Sequence, residues 1–341
     1  MKISELQKYL QGKIDIALFF NNDANITYFS GTKPENACLA IPANGKPALF
    51  VPGFEAERMK ETSTIEVVKL DKDFLKNICS RFPARKIGII PGAISYQTAE
   101  AVKTMWNAEL VSVEQKCKEL RMAKTKEEIA RTTKACTITD EILQDLFDNI
   151  GKCRTEIDAA TFLKTKMSQY GLEQSFPPIV ATAGNAAIPH HIPENAKLKG
   201  FTVIDFGIIY KNYCSDITRT IFVGSLTDKQ REIYEKVRKV QEASVKKCSI
   251  GNTLDKIDEE GHKALGEKFI HRIGHSLGIE VHDVQTRPLK LKEGMIVTIE
   301  PGLYEKGKYG IRIEDDVLIT KDKPVVLTKT TKKLKAFLRK L

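Results

Sequence analysis

Apolar positions recur at helical spacing over residues 2–11, and short β-rich runs follow at 14–20, 25–29, 38–41 and 48–51. Pro-Gly pairs at 52–53 and 91–92 mark turns, and helical stretches near 54–61 and 95–107 complete an α/β alternation. The pattern changes near 115–125. Thr125 with Glu128 has the form of a capping box, and Ile129, Ile138, Ile142, Leu143, Leu146 and Phe147 then give a helical apolar face. Thr155 opens a second helix ending at Gly171, Thr227 with Gln230 a third to about Lys247, and Thr253 a fourth to about Leu265. Strands are expected at 202–209, 214–223, 295–299 and 311–319. The reading is a smaller α/β domain over 1–117, followed by an α+β domain over 118–341 with helices packed on a largely antiparallel sheet.

Composition changes this picture little. At 341 residues, 42% hydrophobic and 29% charged, the chain has the make-up of a globular protein of about two domains. No apolar run approaches the ~20 residues of a membrane span, and the N-terminus lacks the layout of a signal peptide. The seven cysteines are scattered and never spaced Cys-x-x-Cys, which fits reduced thiols in a cytoplasmic protein. The net charge of +10 raises nucleic acid as a partner. Yet residues 321–341 alone carry eight basic residues and one acidic, ending in Lys332, Lys333, Lys335, Arg339 and Lys340. A solvated helical end accounts for that run, so no nucleic-acid or membrane partner is expected.

Candidate chemistry gathers in the second half. If the turn between two strands centres on Lys211-Asn212, Asp205 sits opposite Thr218, with Asp216 diagonal to it on the same face. Asp205 lies within an apolar strand, where a carboxylate must be paired or bound to metal; Arg219 or Lys211 could equally pair with it. Three of six histidines, His271, His275 and His282, fall within residues 271–282. Glycines around His275 suggest a turn that brings backbone close to another element, while His271 is read as a satisfied structural histidine. Glu300 stands at a strand end before Pro301-Gly302. Alternation puts Arg312 and Glu314 on one face, where alone they would be a solvent-facing ion pair. Together these are four carboxylates that repel one another unless cations lie between them. Two divalent ions would balance them, and oxygen-rich ligation with one imidazole suits Mn²⁺, with Co²⁺ or Fe²⁺ as alternatives.

The ordered fragments VIDFG, SDITRT, GHSLG, EVHD, TIEPG and GIRIED resemble the metallopeptidase family that holds prolidases, Xaa-Pro aminopeptidases and methionine aminopeptidases. The resemblance covers roughly 118–341 and implies a pita-bread catalytic domain. More weakly, the first 117 residues resemble the creatinase-like N-terminal domain of the prolidase branch. Carried over by position, it implies Asp205, Asp216, His275, Glu300 and Glu314 as metal ligands, with Asp216 and Glu314 bridging two ions. It also implies Glu300 as proton shuttle, His282 as a substrate contact and Arg312 as a partner for ligand carboxylates. Ile188-Pro189-His190 resembles the family's Pro-His motif, whose histidine lies near the substrate carbonyl; His191 follows and competes for that role. Ser276 and Asp283 depart from the residues common at their positions, and neither is a ligand position.

The expected activity is hydrolysis of Xaa–Pro bonds in a small peptide with proline after the scissile bond. An activated water attacks the carbonyl, Glu300 passes its proton to the proline nitrogen, and His190 and His282 hold the substrate. Phe176, Pro177 and Pro178 could line a ring pocket, although packing explains them equally well. A dipeptidase (prolidase) is the first reading and an Xaa-Pro aminopeptidase on longer peptides the second. A non-catalytic binding protein on the same fold is the third. The resemblance also implies a homodimer.

Overall fold

The computed structural model describes residues 2–21, 23–70 and 73–338, which form two compact units, Met1–Arg121 and Met122–Leu341. The first unit is built on a six-stranded sheet in the order Glu66–Lys69, Ala48–Val51, Ala37–Pro42, Ile16–Asn21, Lys86–Ile89, Glu109–Ser112. The central pairs Ile16–Asn21/Ala37–Pro42 and Ala37–Pro42/Ala48–Val51 are antiparallel and the outer ones parallel. Ile16, Leu18, Phe20 and Phe50 pack on one face against Ile78, Val102 and Trp106 of the helices Phe74–Arg81 and Tyr96–Trp106. The expected strand at 25–29 is instead the helix Ala24–Ser30. Asp23 caps it by accepting the Asn25 N–H, and Gly31 ends it at a φ of 78°. Those two flanking residues outweigh the strand preference of Ile26, Thr27, Tyr28 and Phe29.

In the second unit the helices fall where their caps place them: Lys126–Asn149, Glu156–Gln169, Asp228–Lys246 and Leu254–Leu265. Capping boxes close the N-termini at Thr125, Thr155 and Thr227. The exposed Thr227 gives a clean test. Thr227→Ala should cost about 1 kcal/mol and lower Tm by about 2–4 °C, read by thermal unfolding.

The first two of these helices pack Ile142, Leu146 and Leu163 against Ile204, Phe206, Ile217 and Ile221 of the central strands. The other two pack Tyr234, Val237 and Ile257 against Val297, Ile299, Ile311 and Val317. Four strands run side by side in the order Ala336–Phe337, Ile217–Val223, Gly200–Phe206, Ile179–Thr182, and the three neighbours Ile217–Val223, Gly200–Phe206 and Ile179–Thr182 are antiparallel. A second sheet holds Ile296–Ile299, Asp315–Leu318 and Val325–Val326, and Gly302–Glu305 forms a hairpin with Tyr309–Arg312. Between the two central strands, Lys211 and Asn212 both have positive φ, 46° and 70°, the left-handed pair that a tight hairpin turn requires.

Three expected strands are interrupted, each time next to a carboxylate. The run 202–209 breaks at Gly207, and 214–223 breaks at Ser215-Asp216. There the Ser215 hydroxyl accepts the Ile208 N–H at 3.0 Å, and the Asp216 N–H turns to the Asp316 carboxylate at 3.0 Å. The run 311–319 breaks at Ile313-Glu314, where the Glu314 N–H donates to Thr218 O at 3.0 Å. The backbone thus leaves one sheet and joins the next beside Asp216 and Glu314.

The C-terminal run is not a helical end. Among the described residues of 321–338 there are two short strands and no helix. Ala336–Phe337 pairs in parallel with Phe222–Val223, and Lys332 lies 2.6 Å from the buried Asp315 carboxylate. Arg339 and Lys340 lie outside the described residues. Among the described residues no helix is long and apolar enough to cross a membrane.

Candidate metal centre

The hairpin register is the one that the turn at 211–212 dictates: Thr218 pairs with Asp205. Asp205 is 8% exposed, and its Oδ2 accepts from Arg312 Nη2 at 2.6 Å, so its cationic partner is neither Arg219 nor Lys211. Arg219 instead pairs with Asp315 at 2.7 Å. Arg312 and Glu314, 3% and 2% exposed, are not a solvent-facing pair. Arg312 also donates Nε to the Thr218 hydroxyl at 3.1 Å and Nη1 to the Tyr304 hydroxyl at 3.0 Å. The Thr218 hydroxyl in turn donates to Glu314 Oε2 at 2.8 Å.

His275 is carried by a segment pressed against the strand Ile296–Ile299. A Cβ on Gly274 would lie 1.9 Å from Thr298 O, so only glycine permits this approach. The segment is then held by Thr298 N–H to His275 O at 2.8 Å and His275 N–H to Thr298 Oγ1 at 3.1 Å. The Nδ1 of His275 sits 3.3 Å from Ser276 O, and Nε2 faces Glu300 Oε1 at 3.5 Å and Asp216 Oδ2 at 3.6 Å. Burial, with His282 adding to it, pushes the His275 pKa down to about 3. The imidazole is neutral, and with its proton on Nδ1 toward Ser276 O the Nε2 lone pair points at the carboxylates. The His282 ring stands perpendicular to it with centroids 4.2 Å apart.

The carboxylates form an electrostatic problem that the protein atoms alone do not solve. Burial, then repulsion from Glu314 and Asp205, holds Asp216 well above the usual carboxylate range. Burial, then repulsion from Glu300 and Asp205, does the same to Glu314. Burial lifts Glu300 to about 7 against the pull of Arg312. Asp205 Oδ1, Asp216 Oδ1 and Glu314 Oε1 are buried and have no hydrogen-bond partner. Unsatisfied buried oxygens of this kind are destabilising unless a cation occupies the space they face. One ligand atom each from Asp216, His275 and Glu314 lies within 4.8 Å of the others. Carboxylates with one imidazole nitrogen are an oxygen-rich donor set that suits a divalent cation. The residues present therefore fit a divalent metal.

The adjacent histidines have different surroundings. The Nε2 of His191 lies 2.8 Å from Glu156 Oε2, whereas His190 is an exposed side chain whose charge bears on both His271 and His282. His271 is satisfied on both nitrogens, by Arg272 O at 2.8 Å and the Tyr304 hydroxyl at 2.7 Å. Two supporting residues, Tyr304 and Asp316, are absent from the sequence reading, and Thr218, placed there only by its register, has a further role. Tyr304 joins His271 to Arg312, Thr218 joins Arg312 to Glu314, and Asp316 anchors the Asp216 backbone. Their one sequence signal is nearness to the motifs: Tyr304 follows Pro301-Gly302, Thr218 lies within SDITRT, and Asp316 follows Glu314-Asp315.

The profile of metallopeptidase family M24 matches residues 130–321, and that of the creatinase/prolidase N-terminal domain matches residues 2–123. The chain belongs to family M24 and is a metallopeptidase, a smaller creatinase-type domain preceding the pita-bread catalytic domain. It is 36% identical to an Xaa-Pro dipeptidase of Pyrococcus furiosus over 98% of this chain and 99% of that one. It is similar to the crystal structure of the prolidase from Pyrococcus horikoshii, with TM-score 0.90 and 33% identity over 98% of this chain and 99% of the other. It is also similar to the structure of an X-Pro aminopeptidase from Thermotoga maritima, with TM-score 0.88 and 27% identity over 97% of this chain and 100% of that one.

Proposed function

We propose that the chain is an Xaa-Pro dipeptidase in which Asp205, Asp216, His275, Glu300 and Glu314 hold two divalent metal ions, Mn²⁺ first among them. One observation carries the metal assignment: Asp216, His275 and Glu314 bring ligand atoms within 4.8 Å of one another, and Asp216 and Glu314 each keep a buried oxygen without a hydrogen-bond partner. Bound there, the ions balance the carboxylate charge, lower the pKa of a water and polarise the scissile carbonyl. The specificity is supported by the full-length likeness to proteins named Xaa-Pro dipeptidase and prolidase.

In this reading Glu300 accepts a proton from the attacking water as the new C–O bond forms. It returns that proton to the proline nitrogen as the C–N bond breaks. An Xaa–Pro bond is a tertiary amide whose nitrogen carries no hydrogen, so this proton must be supplied before proline departs. His282 and His190 contact the substrate, and Arg312 meets a carboxylate while it holds Asp205 in place. A homodimer, which rests on the family resemblance, and a cytoplasmic location, which rests on the scattered cysteines, belong to the same reading.

A second reading, an Xaa-Pro aminopeptidase, is favoured by the likeness to the Thermotoga maritima structure. Purified protein loaded with Mn²⁺, Co²⁺ or Fe²⁺ separates the two when given Leu-Pro and Leu-Pro-Pro. The dipeptidase releases proline from Leu-Pro and leaves Leu-Pro-Pro largely intact; the reverse preference establishes the aminopeptidase. No cleavage of either substrate with any of the three metals rejects both.

A further inference from the structure

Outside the candidate metal centre, the fully buried carboxylate of Glu156 gathers four hydrogen-bond partners. Glu156 is 0% exposed and stands in the first turn of the helix Glu156–Gln169. Its Oε1 accepts the Thr182 N–H at 2.7 Å and Asn185 Nδ2 at 3.1 Å. Its Oε2 meets His191 Nε2 at 2.8 Å and accepts the Glu194 N–H at 3.0 Å. Glu156, His191 and Glu194 bring ligand atoms within 4.8 Å of one another, which has the outline of a metal site. Four donors already occupy both oxygens of Glu156, however, so the cluster is a hydrogen-bonded clamp.

The clamp grips both ends of one segment. Thr182 ends the strand Ile179–Thr182, and His191 and Glu194 lie beyond the turn; Asn185 Nδ2 also reaches Glu194 Oε1 at 2.9 Å. The middle of the segment is pinned independently. A Cβ on Gly310 would lie 1.7 Å from Ala186 O, so the segment lies directly on the hairpin strand Tyr309–Arg312. Arg312 Nη2 donates to Pro189 O at 3.4 Å. His190 thus sits between Pro189, held by Arg312, and His191, held by Glu156.

We propose that Glu156 is a positioning residue that, through His191 and the Glu194 backbone, sets where the exposed His190 imidazole stands over the metal centre. The inference rests on the substrate role assigned to His190 above. Its chemistry requires a carboxylate. Three of the four partners are fixed N–H donors, and His191 completes the set as its Nε2–H tautomer, so only an acceptor with two free oxygens satisfies all four. Glutamine would set its own N–H against at least one of them.

The test uses the full-length Mn²⁺-loaded enzyme with Leu-Pro and the variants Glu156→Gln, His191→Asn and His190→Ala, alone and combined. Misplacing a substrate-contacting group should lower kcat by about 10-fold or more in Glu156→Gln and His191→Asn, with KM and metal content little changed. The decisive readout is coupling: His190→Ala should cost far less in either clamp variant than in the wild type. If the losses multiply independently, or if kcat is unchanged in both clamp variants, the proposal fails. Should Glu156→Gln not fold, His191→Asn carries the test, because His191 is at the margin of the cluster. The imidazole NMR signal of His190, recorded on protein loaded with diamagnetic Zn²⁺ because paramagnetic Mn²⁺ broadens nearby resonances, provides a readout independent of turnover and must shift in the clamp variants. An unchanged signal overturns the clamp even if the enzyme cleaves Leu-Pro. A wild type inactive on Leu-Pro with a shifted His190 signal rejects the dipeptidase reading and leaves the clamp standing.

Discussion

Glu300→Gln should fold normally and bind metal at saturating concentration, yet hydrolyse Leu-Pro about 10³-fold more slowly, within the range that general acid–base groups contribute. Glutamine keeps the shape and an oxygen for the 3.4 Å contact from Thr298 Oγ1, but it can neither accept nor return a proton. In the metal-free protein burial lifts Glu300 to about 7, with the Arg312 charge restraining the rise, and its Oε1 stands 3.5 Å from His275 Nε2 among the other carboxylates. The variant also removes one of four mutually repelling carboxylates, so the metal-free protein should be no less stable than the wild type. Metal analysis alongside steady-state kinetics separates proton transfer from simple loss of an ion. A fully metallated Glu300→Gln enzyme within 10-fold of wild-type kcat would assign the proton transfer to another group.

The parts of this site legible in the sequence are those governed by local rules. Two left-handed residues at 211–212 fix the hairpin register, and the register alone puts Thr218 opposite Asp205. Helix starts at Thr125, Thr155 and Thr227 follow from a hydroxyl and an acceptor three residues later. The failures are also physical. At 25–29 a run of β-branched and aromatic residues reads as a strand, and only Asp23 and Gly31 outside it declare a helix. The breaks at Ser215-Asp216 and Ile313-Glu314 depend on partners far along the chain, Asp316 for the first and Thr218 for the second. The strand period keeps Arg312 and Glu314 on one face but gives no sign that this face is buried. Likewise, nothing near Glu156 in sequence announces that it closes on Glu194. The basic C-terminal run differs from a solvated helical end for the same reason: Lys332 answers Asp315, a buried carboxylate that also binds Arg219 and Gln241.

Removing the metal should destabilise the protein in a manner that depends on pH with a definite sign. Without cations, burial and mutual repulsion hold Asp216 and Glu314 well above their ordinary values, and burial raises Glu300 to about 7. An acid with a folded pKa above its unfolded one binds protons more tightly when folded. Its stabilising effect is full below the unfolded value, near 4, and is lost as pH rises through the folded value. Buried neutral histidines act in the opposite sense. His275, pushed down to about 3, and His271, pushed down to about 4, both chiefly by burial, make stability rise with pH up to their ordinary value of 6.5. The carboxylate loss therefore shows most between pH 6.5 and 8, where the opposing histidine contribution levels off. In that window Tm of the chelated protein should fall by several degrees, while Tm of the Mn²⁺-loaded protein stays nearly level, because the ions take the place of the protons. Metal at about 100 times its dissociation constant adds about 2.7 kcal/mol, so the gain in Tm on adding Mn²⁺ should be larger at pH 8 than at pH 6.5. Differential scanning calorimetry of chelated and reloaded protein at both pH values makes the comparison. A chelated protein whose Tm is level across the window and unmoved by Mn²⁺ would remove the carboxylate cluster from consideration as a metal site.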